Sequence, residues 1–105
     1  KVIDEETVDF VSRLMFMQVM HKTYAGTGTI CTGSAARIKG TIVNEVMEAK
    51  NKGKEQIINI GHPAGIIDID VAAHEDENGW KLDKAAINRT ARRIMDGICY
   101  TPAGE

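Results

Sequence analysis

Apolar side chains in the first half of the chain recur every three or four residues. Between residues 4 and about 19 they fall on one side of a helical projection, in the set Val8, Val11, Leu14 and Met15. This spacing predicts an amphipathic helix with one buried face. A similar pattern predicts a second helix from Ile42 to about Lys50, with Gly40 before it as a cap or kink.

The apolar pattern changes to alternation in the second half of the chain. Residues 56–60 are apolar and β-branched, and residues 66–73 alternate aspartates with isoleucine and valine. Alternation of this kind is typical of a half-buried strand. The five residues 61–65 between these runs contain glycine and proline, so the segment predicts a β-hairpin with a five-residue loop.

Further strands are predicted after this hairpin. The charged run 74–79 reads as a solvated turn, and residues 80–94 read as a third strand. The pair Asp96-Gly97 is typical of a type I′ hairpin turn, so residues 98–101 are predicted to return as a fourth strand. Helices followed by antiparallel strands indicate the α+β class, with the strands packed over a central helix.

The central helix is predicted in a stretch of small residues, YAGTGTICTGSAARI at positions 24–38. It opens with the glycine-rich turn Gly26-Thr27-Gly28-Thr29, and its small side chains indicate close packing, so we expect a buried helix. The first N–H groups of a helix have no intrahelical acceptor, and the helix dipole favours an anion beside them. The stretch therefore predicts that these four residues bind a carboxylate or phosphate.

The same four residues are also typical of a tight turn with a hydroxyl cap and no ligand. They lack the Gly-Lys-Ser/Thr of a phosphate-binding loop and the full glycine spacing of a dinucleotide site. Both interpretations stay open on the residues alone.

Composition and charge narrow the class of protein. The 105 residues, 43% of them hydrophobic, fit one domain or a part of one. The net charge of −2 disfavours a nucleic-acid partner, and no apolar run approaches the roughly 20 residues that span a bilayer. Cys31 and Cys99 lack metal-type spacing, which favours reduced thiols and a cytoplasmic location. The three dispersed histidines predict no metal site.

Three separated motifs give the chain a family resemblance. They are MHKTYAGTGTICTGSAARIKGTIVNE, INIGHPAGIIDIDV and INRTARRIMDGICYTP, in that order. Together they resemble the methylitaconate isomerase and methylaconitate cis-trans isomerase family of the diaminopimelate-epimerase-like superfamily. The resemblance covers the chain from about Val8 and implies a curved antiparallel sheet packed around a central helix. It also implies that residues 1–105 are a partial domain, the C-terminal part of a two-domain isomerase.

The resemblance implies a cofactor-independent 1,3-proton shift in a small unsaturated di- or tricarboxylic acid. In such an enzyme this segment supplies a helix N-terminal cradle for the substrate carboxylate, at Gly26, Thr27, Gly28 and Thr29, and His62 lies in a loop motif that contacts substrate. The family's acid/base cysteine and lysine belong to the first domain, so we expect no catalytic residue and no metal ligand in this segment. Ala25 stands where racemising relatives carry a second cysteine, which favours isomerisation over racemisation.

The expected partners are a small carboxylate substrate and the first domain of the same enzyme, with no membrane; a homo-oligomer is also compatible with the resemblance. The alternative function is a non-catalytic binding or dimerisation module with the same fold. Ligand roles for Lys22, Cys31 and the arginines between Arg89 and Arg93 stay open, although a small buried thiol is the favoured interpretation of Cys31.

Overall fold

The computed structural model describes residues 6–49 and 56–104 of the chain. These residues form two helices, one four-stranded sheet and one two-stranded hairpin. In chain order the elements are β1 (Phe10–Val11), β2 (Met15–Phe16), β3 (Val19–Met20), α1 (Gly26–Arg37), α2 (Ile42–Ala49), β4 (Ile57–His62), β5 (Gly65–Asp76) and β6 (Gly79–Ile87). The α+β class predicted from the sequence is confirmed.

The four-stranded sheet has the order β1-β4-β5-β6. Strands β4, β5 and β6 are antiparallel, whereas β1 pairs in parallel with β4 through Phe10 opposite Ile60. A register shift between Ala72 and Ala73 marks a bulge in β5, a feature that increases the twist of a strand and bends it. The sheet therefore combines two local hairpins with one short strand from the distant start of the chain.

The core lies between α1 and the inner face of this sheet. Ile69 and Val71 in β5 are buried, at 0% and 1% exposure, because the alternation of the strand directs every second side chain inward. Gly33 in α1 lies directly on them: a Cβ added there would come within 2.6 Å of Ile69 Cγ2 and 3.2 Å of Val71 Cγ2. The helix thus packs on the sheet at a distance that only glycine permits.

The two helices are joined by a short hydrogen-bonded connection. Gly40 has a φ of +94°, a conformation that favours glycine, and it breaks the helical path between α1 and α2. The Thr41 hydroxyl donates to the Ala35 carbonyl at 2.6 Å, and the amide group of Asn44 donates to the Ala36 carbonyl at 2.7 Å. The predicted helix from Ile42 and the break at Gly40 are confirmed, while Lys50 lies outside the described residues.

The amphipathic helix predicted for residues 4–19 is wrong. Residues 6–20 instead form extended chain with strands β1, β2 and β3, and residues 4 and 5 lie outside the described part. Val8 and Phe10 are buried on the same side of an extended segment, and the Asp9 amide donates to the Asn59 carbonyl. Pairing with β4, a contact across some fifty positions, decides the conformation, and the helical spacing of the valines was misleading.

A tight turn closes the small β2–β3 hairpin. Met17 and Gln18 have φ values of 50° and 66°, so both central residues of the turn are left-handed, as in the turns that match strand twist. The hairpin exposes apolar side chains, including Met17 at 82%.

Three of the four strands predicted in the second half, at residues 56–60, 66–73 and 80–94, are confirmed with different limits. Pairing between β4 and β5 extends to His62 opposite Gly65, so the predicted five-residue loop is a two-residue turn at Pro63-Ala64. Likewise β5 runs on to Asp76, which pairs with Gly79 across the turn Glu77-Asn78. The ladders thus continue into residues whose composition is typical of turns, because each extra pair adds backbone hydrogen bonds.

The predicted strands beyond residue 87 are wrong. Strand β6 ends at Ile87, and residues 88–104 form neither a strand nor a helix. Ile94, Ile98 and Tyr100 are almost fully exposed. The Asp96-Gly97 signal describes only a local turn preference, and in the described residues no second strand pairs across it.

Candidate functional site

Helix α1 begins at Gly26, and its first turn exposes backbone donors. Ala25 is the N-cap, with extended φ and ψ of −66° and 144°, and no side chain among the described residues caps the helix. The first intrahelical bond runs from the Thr29 amide to the Ala25 carbonyl, at 2.8 Å. The amides of Gly26, Thr27 and Gly28 therefore have no acceptor within the helix.

The surroundings of these three amides suit an anion. Gly26 and Thr27 are exposed and Gly28 is half-buried. The first turn contains no acidic residue, so the positive end of the helix dipole is not neutralised by a nearby carboxylate of the helix. This geometry can hold one carboxylate group by backbone hydrogen bonds alone.

Thr29 has a different position from the other predicted residues of the stretch. Its side chain is fully buried, and both its amide and its hydroxyl donate to the Ala25 carbonyl at 2.8 Å. Thr29 therefore closes the first turn of α1 from inside, and the open donors lie at the three positions before it.

The glycines of the first turn contact apolar side chains from two directions. A Cβ on Gly26 would lie 3.4 Å from the Ile87 Cδ1 atom at the end of β6, and one on Gly28 would lie 3.3 Å from a methyl of Leu14. Neither glycine has a positive φ, and a Cβ would be in ordinary contact at Gly26 and slightly crowded by Leu14 at Gly28.

His62 lies at the end of β4 and is buried, with 8% exposure. Its Nδ1 atom accepts a hydrogen bond from the Ala64 amide at 3.2 Å, inside the two-residue turn. In the neutral ring this places the proton on Nε2. His62 is thus held rigidly within the hairpin that begins with β4.

Tyr24 connects the two predicted parts of the site, and the sequence did not single it out. Its buried hydroxyl bonds to the Ser12 hydroxyl at 2.9 Å and to the Thr32 hydroxyl in α1 at 2.8 Å. The Ser12 amide in turn donates to the carbonyl of Gly61, the residue before His62, at 2.9 Å. Sequence patterns miss this link because it joins residues that are distant in the chain and share no periodicity.

Two of the candidates left open lie on the outside of the molecule. Lys22 and Cys31 are exposed, so the expected burial of Cys31 is wrong. The buried face of α1 carries Thr29 and Gly33, and Cys31 is about 200° around the helix from each of them. The small residues of α1 therefore pack on one face only, and the predicted fully buried helix is half-exposed.

The arginine cluster is also exposed. Arg89, Arg92 and Arg93 lie beyond the end of β6 at Ile87, so the part of the predicted strand 80–94 that contains them is wrong. Arg93 approaches Asp96 at 3.8 Å, an exposed pair that contributes little to stability. The cluster does not approach the core of the sheet.

Asp70 in β5 and Arg37 at the end of α1 have shifted pKa values. Hydrogen bonds from Lys84 and from Gln56 hold the pKa of Asp70 below its usual value. Burial lowers the pKa of Arg37, opposed by the charges of Asp9 and Asp70. These groups connect neighbouring strands and the end of α1.

The described part of the chain has neither a membrane-spanning helix nor a cluster of metal-type ligands. Residues 6–49 and 56–104 contain no helix long and apolar enough to cross a membrane. Over the same residues, no three or more histidine, cysteine, aspartate or glutamate side chains cluster as metal ligands would.

Comparison with known proteins places this geometry in context. The family profile of the PrpF protein matches residues 1–102. The 3-methylitaconate isomerase of Eubacterium barkeri is 59% identical over 98 residues, which cover 93% of this chain and 24% of that protein. The 2-methyl-aconitate isomerase of Shewanella oneidensis is 32% identical over 102 residues, or 97% of this chain and 25% of that protein.

A solved structure gives the same assignment. The crystal structure of methylitaconate-delta-isomerase superposes with a TM-score of 0.71 at 57% sequence identity, covering 90% of this chain and 23% of that one. The chain thus spans about a quarter of the length of the curated relatives it matches.

Proposed function

Because this chain belongs to the PrpF protein family, we propose that it forms part of a cofactor-independent isomerase. The substrate is a small unsaturated di- or tricarboxylic acid of the 3-methylitaconate or 2-methylaconitate type, the kinds of substrate that name two of its relatives. The segment contributes a carboxylate cradle, and the groups that move the proton belong to the rest of the enzyme.

The observation that supports this proposal is the uncapped N-terminus of α1. Three backbone amides, those of Gly26, Thr27 and Gly28, are directed out of the helix without an intrahelical acceptor. A fixed array of N–H dipoles stabilises negative charge without reorganising during the reaction. His62 is proposed as a second polar contact to the substrate, from the turn after β4.

The proposed reaction moves one proton and one double bond. A base removes a proton from the carbon beside a carboxylate, and the electron pair left behind is delocalised as an enolate-like anion. The double bond shifts by one position, and a proton donor delivers a proton to the third carbon. The cradle holds a carboxylate that is charged before and during the proton transfer, so it contributes binding to both states and its loss is measured in KM.

The activity test compares this chain with a complete isomerase that contains it. The Eubacterium barkeri relative, with its matching 98 residues replaced by this chain, is one such protein. We expect the complete protein to convert 3-methylitaconate or 2-methylaconitate, followed by the absorbance of the conjugated diacid. We expect the 105-residue chain alone to show no turnover. Turnover by the isolated chain would contradict the proposal that the groups moving the proton lie in the rest of the enzyme.

The cradle has its own test at Gly26. Proline is tolerated at the first position of a helix, and the extended Ala25 before it has the conformation that proline requires. Gly26→Pro therefore removes one amide donor while keeping the helix, whereas Gly26→Ala adds a Cβ and keeps the donor. We expect the KM of the complete isomerase to rise several-fold for the proline variant relative to the alanine variant. Equal KM values would mean that the turn is only a helix start.

The alternative function, a binding or dimerisation module, is supported by the apolar side chains exposed on the β2–β3 hairpin, such as Phe16 and Val19. Exposed apolar patches mark surfaces that associate. A module predicts that the isolated chain forms a defined dimer and that a complete protein binds the diacid without converting it. Sedimentation of the isolated chain, together with the activity assay, separates the two functions.

A further inference from the structure

The hydroxyl of Tyr24 lies at the centre of a chain of three hydroxyl groups. It bonds to Ser12 Oγ at 2.9 Å on one side and to Thr32 Oγ1 at 2.8 Å on the other. Tyr24 is 7% exposed, whereas Ser12 and Thr32 are half-buried, so both bonds are partly shielded from water. A hydroxyl that is bonded on both sides restrains the positions of both neighbours.

One neighbour belongs to the sheet. Ser12 follows β1 directly, and its amide donates to the Gly61 carbonyl at 2.9 Å. Gly61 is paired with Val11 in β1 and immediately precedes His62. The Ser12 hydroxyl is therefore held at the end of β4 that carries the proposed second substrate contact.

The other neighbour, Thr32, belongs to α1, and its hydroxyl bonds outside the helix. The hydroxyls of Thr29 and Ser34 donate to carbonyls four residues earlier, at 2.8 Å and 2.6 Å. Thr32 instead joins Tyr24. This bond connects the helix, through Tyr24 and Ser12, to the Gly61 carbonyl of β4, and such a link limits rotation of the helix about its axis, which bonds within the helix cannot do.

The backbone of Tyr24 adds a second constraint. It immediately precedes the N-cap Ala25, so the same residue leads directly into the first turn of α1. Its ring and hydroxyl fix where the helix starts, and its bond to Thr32 fixes how the helix is turned.

We propose that Tyr24 is a positioning residue that sets the carboxylate cradle of α1 relative to the His62 end of β4, through its hydrogen bonds to Ser12 and Thr32. This inference rests on the proposed function, since it concerns the same cradle. Tyr24 itself touches no reacting atom. Its effect is on the binding of the substrate carboxylate, because the base and the proton donor lie in another part of the enzyme.

The test removes the hydroxyl and keeps the ring. In the complete isomerase, Tyr24→Phe is expected to raise the KM for the diacid about fivefold, the factor that corresponds to one hydrogen bond of ordinary strength, with kcat changed less than twofold. Thr32→Val is expected to give a similar rise. The double variant should be no worse than the more affected single variant, because both changes break the same link.

Two control variants separate positioning from stability. Ser34→Ala removes a hydroxyl bond of the same helix that does not reach the sheet, and Asn44→Ala removes the bond from α2 to the Ala36 carbonyl. Both are expected to lower the thermal midpoint and to leave KM unchanged. If Tyr24→Phe fails to fold, Thr32→Val and Ser12→Ala each break one of the two bonds and provide the same KM measurement.

The outcomes are distinguishable. If Gly26→Pro raises KM and Tyr24→Phe and Thr32→Val do not, the positioning role is wrong and the proposed function stands. If KM rises equally in Asn44→Ala, Tyr24 has only a structural role and the inference is also wrong. If Gly26→Pro and Gly26→Ala have the same KM, the first turn does not bind the carboxylate. The proposed cradle and the positioning role of Tyr24 are then both wrong.

Discussion

Glycine serves two different purposes in the two halves of α1. At Gly33 it removes a side chain so that the helix can lie on Ile69 and Val71, where a Cβ would overlap with the sheet. At Gly26 a Cβ would meet a single flexible methyl group at 3.4 Å, and the residue is exposed. Packing against the sheet requires glycine at position 33, whereas glycine at position 26 leaves the backbone open to solvent.

The difference shows how one short helix can pack in the core along its middle and still expose the backbone of its first turn. Close packing of its middle on β5 fixes the direction of the helix axis. The first turn packs less closely, on single methyl groups of Ile87 and Leu14, and its outer side is exposed, so its amides can remain uncovered. Small residues in sequence are therefore ambiguous, since they fit a close contact and an open backbone equally well.

The largest expected effect tests the packed half. Gly33→Ala should lower the free energy of unfolding by about 2 kcal/mol, because overpacking outweighs the roughly 1 kcal/mol that alanine gains over glycine within a helix. Gly26→Ala, the matched change in the first turn, should alter it by less than about 0.5 kcal/mol. Guanidinium unfolding of both variants measures the contrast.

Equal stability of these two alanine variants would remove the distinction between the halves of α1. A large loss at Gly26 together with a small one at Gly33 would reverse it. In either case the close approach of the helix to Ile69 would have to be abandoned as the feature that fixes its axis.

A smaller effect is expected at Thr29, which closes the first turn of α1 from its buried side. Thr29→Val keeps the buried shape and removes the hydroxyl donor to the Ala25 carbonyl. The expected loss in unfolding free energy is about 1 kcal/mol, the usual contribution of one hydrogen bond. Thr27→Val is the matched control, because Thr27 is an exposed residue of the same turn. An equal effect in both variants would show that helix propensity, and not the buried bond, governs this turn.

The sequence was most informative where contacts are local. The alternation around Ile69 and Val71 correctly predicts the inward face of β5, and the glycine-rich stretch correctly predicts a helix, while anion binding at its start stays a prediction. The segment around Val8 was misassigned because its conformation depends on pairing with β4, which no local spacing records. The exposed tail after Ile87 was misassigned because the sequence Asp96-Gly97 indicates a local turn preference only. In the described residues this turn has no paired strands on its two sides.

In the candidate site too, local features could be predicted from the sequence and contacts between distant residues could not. The positions of Gly26, Thr27 and Gly28 could be predicted, because helix ends are local features. Tyr24 could not, because its importance arises from bonds to Ser12 and Thr32 on two other elements. The burial of Thr29 also required the structure, since it depends on which side of α1 faces the sheet.

The smallest expected effect concerns pH and lies outside α1. The pKa of Asp70 is lowered in the folded state by hydrogen bonds from Lys84 and Gln56, so the folded state favours the ionised form. The stability this provides is fully present above the ordinary carboxyl pKa and is lost as pH falls through the lowered one. Asp70→Asn should therefore lose less stability between pH 7 and pH 3 than the unchanged protein.

The control for this pH effect is Asp96→Asn, because Asp96 pairs only loosely with Arg93 in the exposed tail. Unfolding midpoints at the two pH values measure both variants. A pH dependence that is unaltered by Asp70→Asn would mean that the strand-linking bonds of Asp70 do not persist in solution.

The two-residue strand β1 has a consequence for how the chain reaches its native state. Its pairing of Phe10 with Ile60 closes a loop of about fifty residues that contains both helices. The β4–β5 hairpin closes over only two residues, and the entropy cost of closure grows by about 0.6 kcal/mol for each doubling of loop length. Non-local pairing of this kind slows folding. We therefore expect the hairpins and helices to form early, and the pairing of β1, with the Ser12–Tyr24 bond that follows it, to form late.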